Sequence, residues 1–517
     1  MPSHTDVSAK AAVVFSLLFA ALLALQGLVF VGFQASDDAN YLSGALGWLK
    51  DTFYVGNSHW TLRHTLTLPT ALSVSSFGLS PLTVSLPTLL YFIGFLAIQV
   101  WALHRYFGLG VAAVFGMLVI SMPGMVVNST YLAPDVSELF FVGSTFWLVV
   151  GLCEKTASER RPLRWGWLAV GAIAGLAWLN RQTSIAPVAA CALFAWSISH
   201  GRSRAGVGWA LLGFILVVGG EWAYLTAMTG EPLYRLRTDF HHDPVDRFAE
   251  VSRLRQSGGW IDKEGNLSVN VFIDPILALV ISQKYGLIFW TAVAASWRLF
   301  RGGASAHGRV LKGLLLLGVL SYVFVAANPK LYLVPRYLIV AAWVAAALTA
   351  WWIVELWHQG RTRVAAVVLT VLLLAQWAGL ALENTRPRAV EQAFVEWVRA
   401  HPDQTVYTDI ETAARASYFF EFAGVSGDKV MTAAPPPGAL FFHSTDRVEQ
   451  CARQPRCRAQ ASAFRPTPAW APVERIVGPL KPLGHLLERL PISGWVPPDI
   501  HRRMVSPSFV VTVYRVN

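Results

Sequence analysis

Long apolar runs separated by short polar breaks fill the first three quarters of the chain. Runs near 11–33, 83–104, 109–127, 135–152, 165–180, 183–199, 206–228, 275–297, 310–327, 336–357 and 363–382 recur along it. Each approaches the roughly 20 residues a helix needs to cross a bilayer. About eleven transmembrane helices are therefore expected. The first run follows Lys10 and exceeds the apolar centre of a cleaved signal peptide, so it reads as a first span with the N-terminus inside. The pair 165–180 and 183–199 is short on both sides of Asn180-Arg181-Gln182. Beyond residue 384 the long apolar runs vanish and Pro and Arg rise. There the pattern predicts a helix over Arg388–Ala400 and strands over Gln404–Ile410, Ala439–His443 and Phe509–Val516. The expected architecture is an all-α polytopic membrane domain over 1–383, followed by a small soluble α/β domain over 384–517.

Composition agrees. Of 517 residues, 54% are hydrophobic and only 14% charged, against about a quarter charged in soluble domains. The net charge of +11 does not form a nucleic-acid-binding face, because the basic residues sit in alternate short loops. His104-Arg105, Lys155 with Arg160, Arg161 and Arg164, Arg202 and Arg204, Arg298 to Lys312, and Arg361 and Arg363 fall on one side. By the positive-inside rule that side is cytoplasmic. The loops holding Asp37-Asp38, Asn128–Asp135, Asn180–Gln182, Glu231–Asp274 and Asn328–Arg336 are then external. With an odd number of spans, so is the tail. Arg outnumbers Lys and Ala is abundant, as in GC-rich bacterial genomes, so the expected location is a bacterial inner membrane with the tail periplasmic. Cys153 and Cys191 lie in apolar runs as buried thiols. The spacing of Cys451 and Cys457 permits a small disulfide loop.

The first external loop, 34–82, carries the chemistry. Adjacent acids beside a span are costly unless solvated or used. Asp37 and Asp38 either cap a helix starting near Ala39, or supply a general base whose neighbour tunes it or binds a cation. A divalent metal ion is the cofactor that pair leaves open. Asp135 stands at a helix start, as an N-cap or as the orienting partner of a basic residue. His59, Arg63, His64, Arg181, His241, His242, Lys330 and Arg336 are cations or imidazoles on the sparsely basic external face. Taken singly each is a loop or snorkelling charge; together they suit a phosphate at the membrane surface. Tyr332 and Tyr337 are flanking aromatics, of the kind common at membrane interfaces. The run His241-His242-Asp243 lacks the third ligand at helical spacing that a metal site needs. Segment 235–274 is expected to act as a loop closing over the site.

The order Asp37-Asp38-Ala-Asn-Tyr41, then His59, Arg63-His64, Phe77-Gly78-Leu-Ser-Pro and Leu86-Pro87 resembles a known pattern. So do Tyr131-Leu-Ala-Pro134-Asp135, Gly171-Ala-Ile-Ala-Gly175 before Asn180-Arg181-Gln182, Gly230-Glu-Pro-Leu-Tyr234 and Pro335-Arg336-Tyr337-Leu. This is similar to the GT-C glycosyltransferases of the protein O-mannosyltransferase and aminoarabinose-transferase type (families 39 and 83), over roughly residues 12–382. Two departures stand out: Asp38 replaces a usual Glu, and Arg63-His64 replaces a basic-Pro pair.

The resemblance implies a GT-C fold and inverting transfer of a sugar from a polyprenyl-phosphate donor to a lipid, glycan or protein acceptor. It further implies Asp37 as base, with Asp38 as a supporting acid or metal contact. Tyr41, His59, Arg63, His64, Asp135, Arg181, His241, His242, Lys330, Tyr332 and Arg336 become the expected substrate contacts. A lipid-linked sugar flippase would instead place ionisable groups mid-span, where Glu138, Glu221 and Lys284 fall, and show paired broken helices. A polysaccharide polymerase or ligase has no evident use for the acid pair.

Overall fold

The computed structural model describes residues 4–158, 163–198, 202–240, 247–256, 269–301, 306–328, 334–453, 457, 461–480, 488–489, 494, 498, 501 and 505–517. The chain forms two compact units. One comprises residues 1–30, 40–76 and 85–380, the other 31–39, 77–84 and 381–517.

In the first unit, seven described helices are long and apolar enough to span a membrane. They are Ala9–Leu28, Pro81–Phe107, Pro134–Lys155, Arg204–Thr229, His307–Ala327, Pro335–His358 and Thr362–Leu382. The remaining expected spans are short or broken, so the count of about eleven is not reproduced. Leu109–Ser121 and Pro123–Thr130 meet at 71°, because Pro123 lacks an N–H and holds Met122 in an extended conformation (φ −75°, ψ 115°). The run 275–297 divides into Asp274–Val280 and Ile288–Arg301. Between them lie polar Ser282-Gln283-Lys284 and Gly286 with φ 61°. The halves of the doubtful pair are helices Arg164–Asn180 and Ile185–Ile198, both below spanning length.

Small residues let helix Arg164–Asn180 lie directly on helix Arg202–Thr229. A Cβ on Gly171 would fall inside the van der Waals radius of the Ala210 carbonyl oxygen, and one on Gly213 inside that of Leu168. Close backbone approach of this kind replaces hydrophobic driving force between helices in lipid. Gly171→Leu is accordingly expected to destabilise the protein by at least about 1–3 kcal/mol. Its signature is a lowered thermal midpoint and an aggregated gel-filtration profile in detergent; a wild-type midpoint would show that the helices part freely.

The second unit is an α/β domain. Strands β1 (Val406–Tyr407), β2 (Val430–Met431), β3 (Leu440–His443), β4 (Ala471–Val477) and β5 (Val510–Arg515) form one sheet in the order β2-β1-β3-β5-β4. β1 runs parallel to β2 and β3, while β5 runs antiparallel to β3 and β4. The expected strand Gln404–Ile410 is cut short because Asp409 caps a new helix, Ile410–Ala423. Its carboxylate accepts from Thr412 N at 2.9 Å, and Gly424 closes the other end in a left-handed conformation. The helix Ala389–Ala400 and strands β3 and β5 fall where the pattern puts them. Helix Ile410–Ala423 and edge strand β4 were not foreseen. Cys451 and Cys457 form a buried disulfide in a core with Phe441, Val448, Phe464 and Val516.

The first apolar run is also shared out. Its helix ends at Leu28, and Val31 and Phe33 fold with the second unit. Phe33 lies among Tyr418, Phe419 and Phe422, with ring centroids 5.2, 5.8 and 5.1 Å away. Its apolarity serves that aromatic core rather than lipid.

Candidate active site

The loop 34–82 contains two helices, Asp37–Lys50 and His64–Phe77. Asp37 and Asp38 begin the first of them. Asp38 is 2% exposed. Its Oδ1 accepts from Ser36 N at 2.7 Å and Ala39 N at 3.1 Å, and its Oδ2 accepts from Gln34 N. Asp37 is half-buried and more open. The turn between Gln34 and Asp37 holds Ala35 at φ 47°, a left-handed conformation that is strained for any residue with a Cβ.

These bonds bear on the expected cation. Three of about four lone-pair sites on the Asp38 carboxylate are taken by backbone amides. One such site on Asp38 is left for an ion that the pair would hold jointly. Among the described residues, no group of three His, Cys, Asp or Glu side chains has metal-binding geometry.

Burial pushes the Asp38 carboxyl up to about 6 from an ordinary 3.8, against its amide bonds and the nearby Arg388. Between these values the folded protein holds a proton that the unfolded chain releases. The contribution of this group to stability is therefore fully present below about pH 4 and is lost as pH rises to about 6, its ionisation costing about 3 kcal/mol in all. Asp38→Asn is expected to flatten that part of the thermal-midpoint profile. An unchanged slope would assign it to another group.

Within the first unit, the basic residues of the loop meet partners. Arg63 Nη1 donates to Tyr41 Oη at 2.7 Å, with the guanidinium 5.3 Å from the tyrosine ring centroid, while its buried Nε has no partner. His64 Nδ1 lies 2.9 Å from Glu221 Oε1, and its buried Nε2 is unpartnered. Trp48 stands edge-on to the imidazole at 5.7 Å. His59 is buried with its ring centroid 3.7 Å from that of Trp60.

Two side chains not expected at the site complete this cluster. Arg235, 1% exposed, donates from Nη1 to Glu221 Oε1 at 2.7 Å and to the Leu62 carbonyl at 2.6 Å, and from Nε to Asp239 Oδ2 at 2.8 Å. Gln182 Nε2 also donates to Asp239 Oδ2. Burial raises the Asp239 carboxyl even beside Arg235. Glu221 Oε2 and Asp239 Oδ1 remain unpartnered. The signal for Glu221 was a carboxylate inside an apolar run; for Arg235 and Asp239 it was only their i, i+4 spacing.

A second cluster surrounds the break at Asn180-Arg181-Gln182. Arg181 Nη1 donates to Asp135 Oδ1 at 2.8 Å and lies 3.3 Å from Glu138 Oε2, with its guanidinium 4.0 Å from the Tyr337 ring centroid. Arg336 approaches the same ring at 5.8 Å. Ser184 donates to Glu138 Oε1 at 2.8 Å. Asn180 accepts from Ser137 at 2.7 Å and Thr65 at 3.3 Å, and donates to the Pro134 carbonyl at 2.8 Å. Three consecutive residues thus tie helices Pro134–Ser158, His64–Phe77 and Tyr234–Phe240 together. Asp135 does orient a basic residue, Arg181. Its Oδ2 is buried without a partner.

The structure therefore joins Tyr41 to Arg63, and Asp135 to Arg181, Tyr337 and Arg336. His241, His242, Lys330 and Tyr332 lie outside the described residues.

No protein-family model and no curated protein sequence matches the chain. Solved structures do resemble it. ArnT from Cupriavidus metallidurans in the apo state aligns with a TM-score of 0.57 at 14% identity, covering 98% of both chains. The same protein bound to undecaprenyl phosphate aligns at 0.53 and 12% identity, covering 97% of this chain and 98% of that one. The apo oligosaccharyltransferase of Archaeoglobus fulgidus scores 0.48 at 10% identity, over 90% of this chain and 73% of the other. The chain has the fold of ArnT and, with its seven described spanning-length apolar helices, is an integral, multi-pass membrane protein.

Proposed function

We propose that this protein is an inverting glycosyltransferase that moves a sugar from a polyprenyl-phosphate donor to a lipid, glycan or protein acceptor. In this reading the reaction takes place at the outer face of a bacterial inner membrane. One observation carries the proposal. A chain folded like ArnT, a protein with a structure bound to undecaprenyl phosphate, holds half-buried Arg63 and buried Arg181 and Arg235 in hydrogen-bonded settings within its helical unit.

Chemically, the leaving group is a phosphate monoester dianion of the lipid, and guanidinium forks suit it. Arg63, held by Tyr41, is the leading phosphate contact, since its buried Nε has no hydrogen-bond partner among the described residues. Arg181 and Arg336, sharing Tyr337, are further candidates, with His59 and His64 as imidazole contacts. Asp37 is the proposed base. Its carboxylate takes the proton from the acceptor hydroxyl as that oxygen attacks the anomeric carbon, and the phosphate departs on the opposite face with the bonding pair. No step of this reaction needs a metal.

The test is release of polyprenyl phosphate from a panel of labelled polyprenyl-phosphate sugars by purified protein in detergent with crude envelope acceptors. Turnover with any donor supports the reading. Donor crossing of proteoliposome bilayers without release would replace it with a transporter.

A further inference from the structure

We infer that Arg388 is a positioning residue, through which the C-terminal α/β domain holds the segment that presents Asp37; this rests on the glycosyltransferase reading above.

Segment 31–39 belongs to the same compact unit as residues 381–517. Three attachments hold it there, and one set of bonds within the segment shapes it. Phe33 is anchored in the aromatic pocket of Tyr418, Phe419 and Phe422. Arg388 Nε donates to the Gln34 carbonyl. Asp38 gathers the amides of Gln34, Ser36 and Ala39. Tyr418 Oη reaches the Ala39 carbonyl at 3.5 Å. Residues 34 to 39 are thus gripped at both ends and braced internally by Asp38, while Asp37 itself stays more open.

Arg388 is fixed in turn. Its Nη1 lies 3.7 Å from Glu391 Oε1. Glu391 is completely buried and paired with Arg447, whose Nε and Nη2 approach its two oxygens at 2.9 Å each. Arg447 Nη2 also donates to the Pro387 carbonyl at 2.7 Å. Arg388, 10% exposed at its side chain, therefore sits between a buried carboxylate of the α/β domain and the acidic segment. Burial lowers it to about 10, so it remains charged at neutral pH and attracts Asp38.

The geometry being held is a strained one. Ala35 at φ 47° costs about 1–2 kcal/mol and persists only where surrounding bonds over-determine it. Without Arg388 the turn is free to relax and Asp37 loses its fixed direction. A catalytic group displaced by about 1 Å can lose about 10²-fold in rate.

The experiment uses the full chain in detergent and compares wild type, Arg388→Met and Arg388→Lys. Hydrogen exchange is read on residues 31–39 and on the sheet. In parallel, kcat and donor KM are read in the polyprenyl-phosphate release assay. Arg388→Met is expected to speed exchange at 34–39 with β1, β3 and β5 unchanged, and to lower kcat about 10²-fold with KM within about twofold. Arg388→Lys, retaining the charge without the fork, should recover part of both.

Wild-type exchange at 34–39 in Arg388→Met overturns the inference, as does faster exchange with undiminished kcat. If Arg388→Met does not fold, Phe33→Leu, which keeps the apolar volume but removes the ring contacts, is read by the same two criteria. A wild type that releases no polyprenyl phosphate from any donor overturns the glycosyltransferase reading. The exchange measurement then still decides whether Arg388 holds the segment.

Discussion

Asp37→Asn is expected to lower sugar transfer by about 10²–10⁴-fold, the contribution of a positioned general base, with donor affinity and thermal midpoint near wild type. The separation of effects follows from the environment. Asp38 is buried and spends its oxygens on Gln34, Ser36 and Ala39, so altering it changes the turn. Asp37 is half-buried and more open than Asp38, and its amide isostere keeps the side chain's shape while removing the proton acceptor. Single-turnover rates at saturating donor provide the measurement. A variant with full rate would take the carboxylate out of the mechanism, and one that loses donor binding instead of rate would make Asp37 a substrate contact.

Arg235→Leu is expected to destabilise the protein by about 3–5 kcal/mol, because it removes the guanidinium partner of one buried and one largely buried carboxylate. Glu221 and Asp239 both lean on this guanidinium at 2.7 and 2.8 Å, and the Leu62 carbonyl takes a third bond. Leu has comparable apolar bulk but neutralises neither acid. His64 remains beside Glu221 at 2.9 Å and Gln182 Nε2 still donates to Asp239, which softens the loss on both sides. Thermal unfolding in detergent should show a drop of several degrees. Adding Glu221→Gln should restore part of it, because one stranded charge is then gone, giving a coupling energy of the sign expected for contacting residues. A single variant that melts like wild type would mean that water reaches both acids.

Much of the candidate site was legible because it is local. Asp37, Asp38, Tyr41, Arg63 and His64 lie within one polar break, and a charged group beside an apolar run is conspicuous. The link from Asp135 to Arg181 was anticipated only as a type, an acid orienting some base. The residues lie 46 positions apart, and their 2.8 Å contact exists because two helices pack together. Arg235 and Asp239 escaped notice for the same reason: a basic and an acidic residue four apart read as an exposed pair until Glu221 is brought against them.

Hydropathy along the chain suffices for the membrane class, the helical fold and the position of the α/β tail, since each depends on the composition of contiguous stretches. Where a run breaks depends on single residues such as Pro123 and Gly286, whose effects are also local. Which apolar residues face lipid and which enter a protein core does not follow from hydropathy. Val31 and Phe33 read as the end of a span, yet Phe33 packs against rings nearly four hundred residues later in the chain. That pairing, like the grip of Arg388 on Gln34, comes from packing between distant segments, and a one-dimensional pattern carries no record of which distant surface an apolar side chain will meet.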